Sequence, residues 1–163
     1  MNNLVYLEPS VQLRPGDAVA AIIHTIDSKV LLQKRDNLPT IFYPNYWGFF
    51  GGAIDNNENS NQAIKRELLE ELSFDFHQSQ INKIGSFNFN VDELSIGNFV
   101  RTYYSILIKS KDIDSYKLGE GADIGLFDMA YALENLKIVP YDAFMLWMFC
   151  YANKLKVGDS DAK

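Results

Sequence analysis

Apolar positions along this 163-residue chain come in short blocks whose spacing switches from two to nearly four and back again. Residues 19–26 and 30–33 are β-branched or aliphatic runs split by Asp27, Ser28 and Lys29, which predicts two strands joined by a tight polar hairpin turn. Residues 35–45 hold Pro39, Pro44 and the aromatic pair Phe42 and Tyr43, a composition that predicts an ordered loop of the kind that lines ligand sites. A short apolar run over 47–50 ends at Gly51 and Gly52, and an asparagine-rich polar stretch follows. Ile64, Leu68 and Leu72 then recur every four residues with Ala63 and Leu69 beside them. That stripe predicts an amphipathic helix starting near Ser60, with Ser60 or Asn61 as its N-cap.

Alternation returns over 85–91 through Phe87, Phe89 and Val91, and 99–108 reads as a second long strand, so a turn is expected over 92–98. A loop with three glycines over 118–125, a short strand over 124–127 and helices over 129–136 and 141–156 complete the pattern. The polar tail from Gly158 has nothing to bury. Strands, helix, strands, helix in that order predict an α/β fold, a mixed sheet covered by helices on both faces. There is no internal repeat or linker, and the length suits one domain over 1–163.

Composition narrows the partners. Twenty-one acidic against fifteen basic residues leave a net charge of -6, and the pI is about 4.8, without the basic footprint that binding a nucleic acid polymer requires. A small phosphorylated ligand stays open, because a bound metal reverses the local field. Residues 1–9 contain Glu8 and no basic cluster ahead of an apolar run, so no secretory signal is read and a cytoplasmic location is expected. The longest apolar run, 143–152, is about half of what a membrane span needs, which predicts no membrane partner. It reads as a buried helix, and Phe144, Met145, Trp147, Met148 and Tyr151 are candidates for a homodimer contact, since a helix apolar all round is buried in its own domain or against a partner. The lone Cys150 and the distant His24 and His77 show no zinc spacing.

The chemistry concentrates between Gly52 and Phe74. Glu67, Glu70 and Glu71 stand at i, i+3 and i+4, so on a helix three carboxylates leave one face close together. Two unit charges 4 Å apart repel by ~4 kcal/mol at the effective dielectric of a protein surface, so the cluster needs either full solvation or a cation. Arg66 supplies one positive charge, and Glu58 lies where it can fold back from just before the helix. Two readings stand at this point: a solvated acidic face, or a site for Mg²⁺ or Mn²⁺, hard ions that take carboxylate oxygens and assist phosphoryl or pyrophosphoryl hydrolysis.

The segment Gly52-x5-Glu58-x7-Arg66-Glu67-Leu68-x-Glu70-Glu71-x-Ser73-Phe74 resembles the Nudix box of the Nudix hydrolases, departing only at Ser73, where that family usually has glycine. Trp47-Gly48-Phe49-Phe50-Gly51-Gly52 resembles the strand and turn that enter the box. The resemblance implies an α/β/α sandwich and cleavage of the pyrophosphate linkage of a nucleoside diphosphate derivative, a nucleotide sugar or a nucleoside triphosphate. It implies Glu67, Glu70 and Glu71 as metal ligands with the Gly51 carbonyl added, Arg66 holding the carboxylates in place, and Glu58 supporting that network. A glutamate from the loop after the long strand often reaches such a cluster, and Glu120 in Leu118-Gly119-Glu120-Gly121 resembles it; Glu67 is the rival general base, and an exposed acidic turn the plain alternative.

Arg35 and Arg101 are candidates for bidentate contact with the diphosphate, against the simpler reading of surface cations at strand ends. Phe42, Tyr43 and Tyr46 are candidates for stacking on a base or sugar, against packing within their own loop. Two other readings share the fold: a catalytically inactive nucleotide sensor, where a box carboxylate would be expected to be lost and none is, and an isopentenyl diphosphate isomerase, for whose site Cys150 is badly placed.

Overall fold

Ala18 through Ile23 are all buried in β1 (Ala18–Thr25), so this strand has no solvent face and needs a layer on each side. The computed structural model describes residues 16–91 and 97–155. Val19, Ala21 and Ile23 enter one core with Ala63, Ile64, Leu68 and Leu72 of α1 (Ser60–Leu72). Ala20 and Ile22 enter a second core with Ala132 of α2 (Met129–Asn135) and Met145 and Leu146 of α3 (Pro140–Leu155). Because side chains alternate along a strand, an uninterrupted apolar run recruits α1 to one face and α2 and α3 to the other. The result is the α/β/α sandwich that the pattern predicts.

The sheet runs β3 (Trp47–Gly48), β2 (Lys29–Lys34), β1, β5 (Gly97–Ile108), β4 (Asn82–Val91), with β6 (Asp123–Asp128) also paired to β2. β1 and β5 are parallel from Ala18↔Arg101 to Thr25↔Ile108, and the other pairs are antiparallel, so the sheet is mixed. β6 lies along the whole of β2, longer than the short strand expected. The 92–98 turn falls mostly outside the described residues, as do the segment before Gly16 and the tail.

The hairpin of β1 and β2 is paired only at its turn, Ile23↔Leu31 and His24↔Val30. Beyond that the strands part and the chain after β3 enters between them: the Ala21 amide donates to the Phe50 carbonyl at 2.8 Å and the Val19 amide to the Gly52 carbonyl at 2.9 Å. Buried backbone donors need partners, and here residues 50–52 supply them where β2 does not.

α1 begins at Ser60 as expected, but its cap lies one residue earlier, at Asn59. Asn59 accepts from the amides of Asn61 at 3.0 Å and Gln62 at 3.1 Å, and the Gln62 side chain accepts from the Asn59 amide at 2.9 Å, a reciprocal capping box. Ser60 and Asn61 instead lie within hydrogen-bond distance of the Tyr104 hydroxyl. In α3, Met145 and Leu146 are buried, but Phe144 and Trp147 stand 45% and 44% exposed, so the helix is not enclosed on all sides. Among the described residues no helix is long and apolar enough to cross a membrane. His24 packs edge-on against Phe149 at 4.8 Å.

Ser73, in the position of the box glycine, ends α1 in the left-handed region with φ 50° and ψ 34°, its amide bonded to the Leu69 carbonyl. A Cβ there costs roughly 1 kcal/mol. Ser73→Gly should therefore stabilise the chain by about 1 kcal/mol, raising the thermal midpoint by about 3 °C. Differential scanning calorimetry at neutral pH measures this, and an unchanged or lower midpoint would show that the serine side chain compensates for the strain.

Candidate active site

Three carboxylates crowd the last two turns of α1, the end where the helix dipole is negative and acidic side chains are least favoured. Stability alone does not place them there. Glu71 points inward and is only 6% exposed. Its Oε1 accepts from Gln33 Nε2 at 2.7 Å and its Oε2 from the Gly51 amide at 2.7 Å. Burial pushes the carboxyl up to about 7 against the pull of those two donors, and the charges of Glu67 and Glu120 add to the rise.

Gly51 can aim its amide at Glu71 because its φ is +132°, and a Cβ at that position would collide with the Val19 carbonyl. At Gly52 a Cβ would sit 2.6 Å from Glu67 Oε1, so the missing side chain is what lets the Glu67 carboxylate lie against the turn. The tandem glycines that break the apolar pattern are thus the contact surface for two carboxylates of the helix.

Arg66 is the cation of the cluster. Its guanidinium reaches Glu58 at 2.6 Å, Glu67 at 2.8 Å, Glu70 at 3.2 Å and the Ala53 carbonyl at 2.9 Å, tying box turn to helix. Hydrogen bonding to Arg66 holds the Glu58 carboxyl below the usual range, and the same bond keeps Arg66 protonated. Burial raises the Glu67 carboxyl despite Arg66, with Glu70 and Glu120 adding to the effect. Glu70 is half exposed.

Glu120 arrives by a different route. The last carbonyls of a helix lack intrahelical partners, and here the Lys117 amide takes Leu72 O at 3.0 Å and the Gly119 amide takes Glu71 O at 2.8 Å. A Cβ on Gly119 would overlap the Glu70 carbonyl, so glycine permits this approach. The next residue, Glu120, is exposed, and its charge acts on both Glu67 and Glu71.

The acidic side chains and backbone carbonyls around the turn form an all-oxygen donor set, the kind that hard divalent cations take. Among the described residues no three of these groups already converge as a ready-made cage, for Arg66 draws Glu67 and Glu70 to itself. The chemistry of the donors fits Mg²⁺ or Mn²⁺, with the excess negative charge around Glu71 left for such an ion to balance.

The other sequence candidates gather on the opposite face of the sheet. Arg35 Nε donates to the Phe42 carbonyl at 2.7 Å and so braces the loop in front of it. Tyr43, at φ 52°, packs 5.8 Å from Tyr141 and 5.6 Å from Tyr46. Arg101, expected as an exposed diphosphate contact, is instead 9% exposed: its Nη2 meets Asp142 Oδ1 at 3.3 Å and its guanidinium lies 4.6 Å from the Tyr141 ring. A desolvated guanidinium already paired with a buried carboxylate is poorly disposed to trade it for a mobile phosphate. Gln33, Tyr141 and Asp142 were not singled out from sequence. The available signal was a polar residue inside an apolar run, Gln33 after Leu31-Leu32 and Asp142 before Ala143-Phe144.

A carboxylate helix entered through a glycine turn on a two-sided mixed sheet defines the class, and comparison with known proteins gives the family. A NUDIX domain model matches residues 14–120, and the chain belongs to the NUDIX family. Its hydrolases act on pyrophosphate bonds of small nucleotide-derived compounds and generally use divalent metals. The dihydroneopterin triphosphate diphosphatase of Escherichia coli (strain K12) is 29% identical over 80 residues, 48% of this chain and 49% of that protein, so the chain spans about half the length of the curated relatives it matches. The MutT protein from Methanosarcina mazei Go1 superposes with a TM-score of 0.68 at 18% identity, covering 86% of this chain and 97% of that one. The NUDIX domain of Shewanella oneidensis NrtR, complexed with ADP ribose, gives 0.66 at 20% identity, covering 90% and 93%. At those identities the two structures establish the fold alone.

The raised Glu71 carboxyl makes a prediction about the metal-free protein. Its folded value near 7 exceeds the ordinary 4.5, so folding binds a proton between those values. The stability linked to the protonated form is complete below about pH 4.5 and is lost as pH rises through about 7, a change on the order of 3 kcal/mol. Urea unfolding in chelator at pH 4.5, 6 and 7.5 should show Glu71→Gln gaining stability relative to the parent as pH rises. A constant difference would mean that the Glu71 carboxyl takes up its proton alike in the folded and unfolded chain.

Proposed function

We propose that this chain is a divalent-metal-dependent pyrophosphohydrolase acting on a small nucleotide-like substrate, a nucleoside or pterin triphosphate, with nucleotide sugars as the other class. The observation that carries the reading is the buried Glu71, whose ionisation burial opposes, at the negative end of α1 beside Glu67 and Glu70, an arrangement that costs stability and that a bound cation repays. The pterin triphosphate enters because it is the substrate class in the name of the Escherichia coli relative.

Glu67, Glu70, Glu71 and the Gly51 carbonyl are the proposed ligands for Mg²⁺ or Mn²⁺, which when bound neutralises diphosphate charge and polarises its oxygens. Arg66 keeps Glu58, Glu67 and Glu70 oriented toward one another. Hydrolysis adds a water oxygen to phosphorus, breaks the bridging P–O bond and sends its electron pair to the departing phosphate. The water proton goes to a carboxylate, and Glu120 is the proposed acceptor because its loop is exposed yet its charge is felt at Glu67 and Glu71. Phe42 and Tyr43, in the loop ahead of β3, are the proposed rings for the heterocycle.

The deciding assay incubates the protein with Mg²⁺ and a panel of nucleoside triphosphates, a pterin triphosphate, nucleotide sugars and dinucleotides, and resolves the phosphate products by ion-exchange chromatography. Turnover should vanish in excess chelator and fall at least about two orders of magnitude in Glu71→Gln, since a lost ligand removes several kcal/mol of charge stabilisation. Activity undiminished by both treatments would mean that the acidic face is merely solvated.

Glu120→Gln should lower turnover by about two to four orders of magnitude while leaving Mn²⁺ affinity nearly unchanged. Near-normal turnover there, with Glu67→Gln inactive, would transfer the base to Glu67.

The second reading is a nucleotide sensor. It draws on the engagement of Glu67 and Glu70 by Arg66 and on the fold shared with the ADP-ribose-bound domain. Tight binding of a nucleotide with no turnover of any panel member would favour it.

A further inference from the structure

Gln33 stands where β2 is flanked on both edges, opposite Gly48 of β3 and Ile124 of β6. It is 4% exposed, and the functional reading above gives it no role. Its two amide hydrogens are both spent: Nε2 donates to Glu71 Oε1 at 2.7 Å and to the Phe49 carbonyl at 3.3 Å. Its oxygen faces the other way, for a Cβ added to Gly121 would come 3.0 Å from Oε1. Gly121 has φ +92° and follows Glu120, and the next amide, Ala122, is bonded to the Lys34 carbonyl at 2.8 Å. One side chain therefore touches the end of α1, the entry to the glycine turn and the loop that carries Glu120.

We propose that Gln33 is a positioning residue, which fixes the Glu71 carboxylate for metal binding by holding Oε1 while the Gly51 amide holds Oε2, and seats the Glu120 loop against the same amide. A carboxylate gripped by one donor on each oxygen cannot rotate, so the order in which its remaining lone pairs are presented is set before any ion arrives. Without the Gln33 donor Glu71 keeps one bond and gains a torsional freedom that each binding event must remove. The inference rests on the proposal that Glu71 is a metal ligand.

The test measures Mn²⁺ affinity by the electron paramagnetic resonance signal of free Mn²⁺, in the full chain and four forms: parent, Gln33→Met, Glu71→Gln and the double variant. Methionine keeps the length and removes both donors, and circular dichroism checks the fold. Gln33→Met should weaken Mn²⁺ binding about tenfold in the parent and less than twofold in the Glu71→Gln background, because the donor acts through that carboxylate. A purely structural role would give the same change in both backgrounds, and that result, or no change in either, overturns the inference. Should Gln33→Met not fold, Gln33→Asn, which keeps the amide but falls one methylene short, carries the same comparison. Mn²⁺ affinity that is unaffected by Glu71→Gln itself overturns the metal-ligand reading and this inference with it, whereas loss in Glu71→Gln alone overturns only the role of Gln33.

Discussion

A carboxylate taken out of water constrains the rest of this molecule. Glu71 is buried at the inner edge of α1, and a desolvated ion must be fully hydrogen-bonded, neutralised or expelled. The chain answers with two donors from different elements, the Gln33 side chain of β2 and the Gly51 amide of the turn. To deliver the second, Gly51 must hold a conformation open only to glycine, and its neighbour must leave room for the Glu67 carboxylate. The splitting of β1 from β2 follows the same requirement, since the turn reaches α1 only by passing between the two strands.

The opposite end of the cluster is organised by ordinary helix termination. Unpartnered carbonyls at the end of α1 capture the amides of Lys117 and Gly119, and the capture brings Glu120 within electrostatic reach of Glu67 and Glu71. The loop is therefore held by backbone bonds to the helix whose carboxylates it approaches. Arg66 does the equivalent work on the outer side, where one guanidinium spans Glu58, Glu67 and Glu70.

What could be read from sequence was what depends on short spacings. Ile64, Leu68 and Leu72 announce their buried face by period alone, and the i, i+3, i+4 spacing brings Glu67, Glu70 and Glu71 together, although it does not report that Glu71 is buried. The order of strands, helix, strands, helix implied a mixed sheet with a helical layer on each side. What was not legible depends on partners far away in the chain. The hairpin separates because residues 50–52 compete for the β1 amides, which no local pattern reports. Arg101 reads as a strand-end cation until Asp142, 41 positions later, is seen to bury it. Asn59 rather than Ser60 caps α1, because neighbouring residues of similar capping chemistry differ only in which of them the chain turns at, and Ser60 and Asn61 are engaged by Tyr104.

The two faces of the sheet meet at a single stretch of backbone. On the α3 side Asp142 accepts the Phe49 amide at 3.1 Å while pairing with Arg101; on the α1 side the Phe49 carbonyl takes Gln33, whose other hydrogen goes to Glu71. The Phe50 and Gly52 carbonyls go to β1 and the Gly51 amide to Glu71, so every residue from Phe49 to Gly52 is anchored by at least one hydrogen bond to a different element. A turn held this way has little conformational entropy left to lose when a ligand arrives. The buried ion pair on the far face thus serves the acidic cluster without touching it: Asp142 fixes the Phe49 amide, and the carbonyl of the same residue holds Gln33, so the pair is suited to specify a geometry even where it adds little to stability.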